Sequence, residues 1–328
     1  MTYLIIVVSI VLIFDFINGF HDSANSIATV VSTKVLSPFA AVVLAATFNF
    51  VAFLAFPLRV ATTIGKGVID PDIVTLNLIV SAVMAAIFWN LITWWLGLPS
   101  SSSHTLVGGL VGSAVASNGF GSVIYGGLIK IGVFIVIAPL LGMIMSYIIS
   151  VIVLHLVKNR TPFGVDHWFR RLQLISASAF SLGHGGNDAQ KSMGIIWVAM
   201  IATGHMTKDS EIGLWIVLSC HAAIALGTLF GGWRIVKTMG QRITKLKPFE
   251  GFCAETAGAL TLFGATHFGI PVSTTHTITG SIMGVGATKR ISAVKWGVTT
   301  KIFWAWILTI PVSAVFGAAI FLFLRLFL

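Results

Sequence analysis

Apolar runs of helix length alternate with short polar joints along the whole chain, near 3–33, 39–57, 74–97, 103–117 and 123–157, then 172–204, 212–233, 252–270, 273–287 and 298–326. Membrane-crossing helices need about twenty apolar residues, whereas barrel strands are about ten residues long and alternate in polarity. The pattern therefore predicts an all-α polytopic membrane protein. Five runs precede the polar stretch at 158–171 and five follow it. The chain is expected to divide into residues 1–157, a cytoplasmic connection at 158–171, and residues 172–328.

Composition removes the main alternatives. Hydrophobic residues make up 56% of the chain and charged residues 9%, where an ordinary soluble domain carries about 25% charge. The mean hydropathy is +0.98. A net charge of +10 would suggest nucleic acid in a soluble protein, but here the basic residues sit in the joints. Lys158, Arg160, Arg170 and Arg171 mark one joint, Arg234, Lys237, Arg242, Lys245 and Lys247 another, and Lys289, Arg290 and Lys295 a third. The excess of Lys and Arg on the cytoplasmic side of membrane proteins accounts for these clusters without a nucleic-acid partner. With 158–171 cytoplasmic, five crossings in each direction leave both termini extracytoplasmic. An odd number of crossings per half makes the halves inverted repeats, an architecture of secondary transporters.

Some details follow from the same pattern. The runs at 3–33 and 172–204 are too long for one simple span, and each carries a polar motif near its middle. Each is expected to be a broken helix. Residues 1–14 lack a basic lead and a small-residue cleavage site, so they are expected to remain as the first membrane helix. Trp89, Trp94, Trp95, Trp304 and Trp306 suit interfacial belts. Cys220 and Cys253 stand in apolar context without metal or redox spacing, so neither a disulfide framework nor a zinc site is supported, and no cofactor is implied.

The chemistry lies in two duplicated motifs. Pro99-Ser100-Ser101-Ser102-Ser103-His104-Thr105 recurs 172 positions later as Pro271-Val272-Ser273-Thr274-Thr275-His276-Thr277, with Gly108 and Gly112 matching Gly280 and Gly284. Gly19-Phe20-His21-Asp22-Ser23-Ala24-Asn25-Ser26 recurs 166 positions later as Gly185-Gly186-Asn187-Asp188-Ala189-Gln190-Lys191-Ser192. Two motifs repeating in the same order at nearly the same offset indicate a duplicated half. Each Ser/Thr break follows a proline and opens a Gly-rich helix, so free N–H groups, the helix dipole and several hydroxyls converge on one spot. Two such breaks facing each other would surround a tetrahedral anion; the plainer alternative is that their hydroxyls join helices. The anion-site candidates are Ser101, Ser102, Ser103, His104 and Thr105 with Ser273, Thr274, Thr275, His276 and Thr277.

Asp22 and Asp188 stand inside apolar helices, where an ionised carboxylate is costly and marks a pathway or a partner. Asn25, Asn187, His21 and His184 lie close to them in sequence, and imidazoles exchange protons in the physiological range. Lys191 stands where the first half has Asn25, so it either pairs with Asp188 or brings positive charge to an anion. These seven residues are the candidates for a coupling ion or proton. Asp15, further up the first helix, either belongs to the same cluster or lies nearer an interface. Glu255 has Val83 at its matching position and is a further acidic candidate.

Asp22-x-Ala24-Asn25, His184-Gly185-x-Asn187-Asp188 and the paired Pro-x-Ser-x-x-His-Thr breaks resemble the inorganic phosphate transporter (PiT) family over essentially the whole chain. The resemblance implies an inverted-repeat secondary transporter with broken or re-entrant helices, often dimeric, in which both aspartate motifs and both Ser/Thr tips form a central site for phosphate and its coupling ion. Sodium-coupled members typically carry Asn-Asp-x-Ala-Asn-Ala in both halves, whereas this chain has His21-Asp22 and Asp188-Ala189-Gln190-Lys191. That departure is similar to the bacterial low-affinity branch, for which the resemblance implies an inner-membrane location, proton symport and transport of phosphate as a neutral metal complex. Sodium-coupled phosphate symport and sulfate permeation are the alternatives within the family. An intramembrane serine hydrolase using Ser103 or Ser273, and an uncoupled channel, are the alternatives outside it.

Overall fold

The computed structural model describes residues 1–327 as twelve α-helices joined by short turns. They are α1 (Thr2–Ser32), α2 (Pro38–Val51), α3 (Arg59–Gly67), α4 (Leu76–Leu96), α5 (Ser102–Asn118), α6 (Tyr125–Val157), α7 (Pro162–Ala202), α8 (Leu214–Phe230), α9 (Trp233–Lys237), α10 (Pro248–His267), α11 (Thr274–Lys289) and α12 (Trp296–Arg325). Helix starts follow local chemistry: Ser37, Thr75, Ser101, Thr161 and Ser273 each accept a backbone N–H as N-cap, and Pro38, Pro162 and Pro248 occupy first-turn positions. Because α7 already begins at Pro162, most of the joint expected at 158–171 is helical.

The two halves have the same order of elements: a long helix, a bent pair, a long helix, a short helix opened by the Ser/Thr motif, and a long helix with an internal proline (Pro139 in α6, Pro311 in α12). Their packing is exchanged when the halves are exchanged: α5 lies on α12 and α11 on α6, α1 lies on α8 and α7 on α2. Glycines make these approaches close. A Cβ at Gly108 or Gly112 would strike the backbone of Ile310 or Ala314 in α12, and one at Gly280 or Gly284 would strike that of Pro139 or Met143 in α6. Such small-xxx-small faces let membrane helices pack backbone to backbone.

The breaks do not fall where the sequence suggested. Both α1 and α7 are continuous through their polar motifs, because their Asp, Asn and Lys side chains find partners on neighbouring helices while the backbone ladder stays intact. The bends lie instead in the runs at 39–57 and 212–233: α2 and its 3-10 extension turn by 83° into α3, and α8 turns by 62° into α9. The cause is local. Pro57 cannot continue a helix, and Gly231 has φ +70°.

Helices α1, α4, α6 and α12, with the two bent pairs, are long and apolar enough to cross a membrane. The short α5 and α11 have their opening turns wholly buried, and α7 and α10 bury carboxylates. Non-lipid-facing helices can carry polar groups that lipid would not tolerate. Trp95 and Trp304 are exposed on the apolar surface, as belt residues would be, but Trp306 is buried and belongs to the interior. Cys220 and Cys253 are free and buried.

Candidate functional site

The two aspartates meet although 166 positions separate them. Ligand atoms of Asp22, Asp188 and His184 all lie within 4.8 Å of one another, and all three residues are buried. Each carboxylate also takes a hydroxyl from the break of its own half: Ser102 donates to Asp22 Oδ2 (3.3 Å) and Thr274 donates to Asp188 Oδ2 (3.1 Å). The helix starts of α5 and α11 are thereby fixed against α1 and α7, so the positive ends of two helix dipoles face the carboxylates.

Asn25 and Lys191 make the connections between halves, and they do so at matching positions. Asn25 Nδ2 donates to Thr275 (2.9 Å) and Thr274 (3.3 Å) in the second break. Lys191 Nζ donates to Ser103 in the first break, the counterpart of Thr275, and also to Asp188 Oδ1 and to the carbonyl of Val272 (3.1 Å). All three ammonium protons are engaged. Of the two readings the sequence left open, the pairing with Asp188 is the one present. Because the ammonium already occupies one oxygen of Asp188, the Asp22–His184–Asp188 cluster is not assigned as a resident metal site.

The histidines divide. His21 Nδ1 contacts Asp22 Oδ1 at 2.6 Å, with Nε2 at 3.2 Å from Thr93 Oγ1. His184 Nε2 lies 3.3 Å from Asp188 Oδ2, and its Nδ1 is 3.1 Å from Asn49 Oδ1. His104 and His276 meet each other instead, edge to face at 4.8 Å, and His276 stacks on Trp306 at 3.8 Å. These two rings thus form the wall behind the breaks. Ser101 and Ser273 accept the N–H groups of His104 and His276 as helix caps (3.3 and 3.2 Å), and Thr105 and Thr277 bond carbonyls of their own helices. Asn187 ties Thr266 and the Ile270 carbonyl just before the second break. The hydroxyls that remain at the centre are those of Ser102, Ser103, Thr274 and Thr275, all buried.

Several partners were not marked by the sequence. Asn49 of α2, Asn90 and Thr93 of α4 and Thr266 of α10 each bond a motif residue. The available signal was an amide flanked on both sides by apolar residues, as at Asn49 and Asn90. Trp306 donates to the Pro99 carbonyl at 2.9 Å, fixing the turn before the first break. Glu255 is buried away from the centre, where it accepts Thr29 (2.5 Å), Gln173 (3.0 Å) and Ser176 (2.5 Å).

A family model described as the phosphate transporter family matches residues 18–317. The chain belongs to that family. A protein of Rhizobium meliloti described as a probable low-affinity inorganic phosphate transporter is 57% identical over 95% of this chain and 93% of its own length. One of Bacillus subtilis with the same description is 44% identical over 98% and 97%. A solved structure, described as the sodium-dependent phosphate transporter, is 27% identical and superimposes with a TM-score of 0.89 over the full length of both chains. As a member of the phosphate transporter family, the protein is a membrane transporter of phosphate and not an enzyme. The geometry agrees in one respect: Ser103 bonds Lys191 and Ser273 caps its own helix, so neither hydroxyl is held by a histidine base.

Proposed function

We propose that the chain imports inorganic phosphate by proton symport across a bacterial plasma membrane, with both termini outside and residues 1–157 and 172–328 acting as inverted repeats. In this reading Ser102, Ser103, Thr274 and Thr275 hold the anion, with the helix starts of α5 and α11 behind them. His104 and His276 shape the wall, and Ser101, Ser273, Thr105 and Thr277 hold the breaks in form. Asp22 and Asp188 carry the coupling charge, oriented by His21 and His184, while Asn25 and Asn187 tie α1 and α7 to the second break and the turn before it. A homodimer is the expected assembly.

The observation that carries the choice of proton is Lys191. Its ammonium, bonded to Asp188, Ser103 and Val272, stands where the first half has the neutral Asn25. A fixed cation at that place repels a sodium ion, which leaves the proton as the coupling cation. Phosphate drawn to the ammonium would loosen its pairing with Asp188 and leave that carboxylate free to take a proton. Coupling is needed in any case, because inward movement of a dianion against an inside-negative potential is opposed by about 4.6 kcal/mol per 100 mV.

Uptake by proteoliposomes under separately imposed pH and sodium gradients tests the reading. Accumulation should follow an inward proton gradient in sodium-free buffer, and stimulation by magnesium or calcium would identify a neutral metal-phosphate complex as the transported species. Strict dependence on sodium with no response to pH would return the chain to the mode named for its structural neighbour. Competition by sulfate at equal concentration would return it to the permease alternative.

A further inference from the structure

The residues Asp15, Asn18, Asp22, Asn25 and Thr29 recur at spacings of three and four along α1, so they lie on one face, and all are buried. Asp22 stands at the centre of this stripe, with a carboxylate group about 10 Å away along the helix in each direction. On one side Thr29 meets Glu255, whose oxygens accept three donors. On the other side stands Asp15, and neither of its oxygens makes a hydrogen bond.

The polar groups around Asp15 leave its carboxyl unengaged. Asn18, Ser192 of α7 and the Cys220 thiol of α8 lie beside the carboxyl, yet Asn18 Oδ1 and Ser192 Oγ are also unpaired. A buried carboxylate that makes no hydrogen bond is costly as an anion and is relieved by taking up a proton. The one cation close by is already engaged: Asp188 faces Asp15 from α7 with Lys191 on its own Oδ1, Cys220 is the titratable group facing it from α8, and α2 and α4 contain no titratable side chain. His221 of α8 is held elsewhere, by the Val217 carbonyl at 2.9 Å and against Phe53. The duplication does not demand a carboxylate here, since the matching residue is Ser181, whose hydroxyl bonds the Ala177 carbonyl at 2.8 Å.

We propose that Asp15 is a proton-binding site through which the coupling proton reaches the central cluster. A hydronium ion gives its proton to the Asp15 carboxylate and leaves as water, and the new O–H can donate to the unpaired oxygens of Asn18 and Ser192. Once phosphate has drawn Lys191 away from Asp188, the Asp15 O–H bond breaks as Ser192 Oγ takes that proton, while Ser192 passes its own proton to the Asp188 carboxylate, one helical turn away on α7. The products are an ionised Asp15, an unchanged Ser192 hydroxyl and a neutral Asp188. This inference rests on the proton-symport reading above and adds the residue that delivers the proton.

The experiment compares wild type, Asp15→Asn and Asp15→Glu in proteoliposomes. In Asp15→Asn, accumulation driven by a pH gradient should fall about a hundredfold, far more than phosphate–phosphate exchange, which moves no net proton. Asp15→Glu should restore accumulation with a displaced pH profile, and difference infrared spectra should show a protonated-carboxyl band that titrates in wild type and is missing in Asp15→Asn. Equal loss of exchange and accumulation, no rescue by Glu, or a wild-type pH profile in Asp15→Asn would each overturn the assignment, as would a sodium-dependent signal lost in that variant. Failure of the wild type itself to respond to pH would reject the proton-symport reading instead, so the two failures are separate.

Discussion

Asn25 and Lys191 occupy equivalent places in the two halves, each reaching across to the Ser/Thr break of the other half, yet one is a neutral amide and the other an ammonium. The scaffold of the site is therefore duplicated while its electrostatics are not. On the Asn25 side, Asn25 Oδ1 is an unpaired buried oxygen beside Asp22, whereas on the Lys191 side Asp188 is already paired. Geometry alone would make two like half-sites. A single substitution of a buried side chain makes one of them self-neutralised, and that difference orders the tests that follow.

Removing the charge that distinguishes the halves should have the largest effect. Lys191→Met strands a buried carboxylate, which typically costs about 3–5 kcal/mol; thermal unfolding in detergent should show a large downward shift, and the double variant Lys191→Met/Asp188→Asn should recover much of it. Lys191→Asn makes the second half resemble the first, and phosphate uptake by that protein should lose its response to pH and acquire one to sodium. A Lys191→Asn protein with an unaltered pH response would remove Lys191 from the coupling mechanism.

Next in size are the carboxylates. Asp22→Asn and Asp188→Asn keep volume but not charge, and both should abolish accumulation against a gradient. Asp188→Asn should cost more in folding stability, because it leaves Lys191 without its counter-ion, while Asp22→Asn leaves no ammonium unpaired. Equal melting temperatures for the two variants would contradict the asymmetry.

The hydroxyls come third. Ser102→Ala/Ser103→Ala and Thr274→Ala/Thr275→Ala should each weaken phosphate binding, by about 1.5–3 kcal/mol per hydrogen bond to the anion, read by calorimetry on folded protein. The comparison is sharpened by Ser103→Ala against Thr275→Ala, since the first removes an acceptor from a charged donor and the second from a neutral one. The smallest effect is expected at Glu255, away from the centre. Glu255→Gln should lower stability by about 1–3 kcal/mol, because the amide nitrogen cannot accept one of the hydroxyl donors, with little change in phosphate affinity.

Much of this arrangement was legible in the sequence because the duplication is local: a proline, a cap and a run of hydroxyls fit within seven residues, and the aspartate motifs do likewise. Most apolar runs also marked their helices to within a few residues, the exceptions being α7, which starts well before its run at Pro162, and α3, which lay between runs. The bends were misread because a polar motif inside an apolar run looks like a break, whereas α1 and α7 remain helical once their side chains are satisfied from neighbouring helices. The Pro57 and Gly231-Gly232 signals that do bend the chain lay at the edges of runs, where they read as ordinary terminators. Trp306 was assigned to a belt because a tryptophan near the end of an apolar stretch carries no mark of the proline carbonyl it will meet 207 positions away. Residues such as Asn49 and Thr93 acquire meaning only through partners on other helices, which no local pattern encodes.

The packing of α5 on α12 also sets an order of assembly. The Gly108–Gly112 face of α5 is complementary to a helix that begins at Trp296, and at about 5–20 residues per second the ribosome takes roughly ten to thirty-five seconds to synthesise the chain between them. Throughout that interval the first Ser/Thr break is a short, hydroxyl-bearing segment without its closing partner, while α11 finds α6 already made. The first half of the site is thus born early and completed last, which makes the final helix the step that turns a nascent chain into a closed transporter.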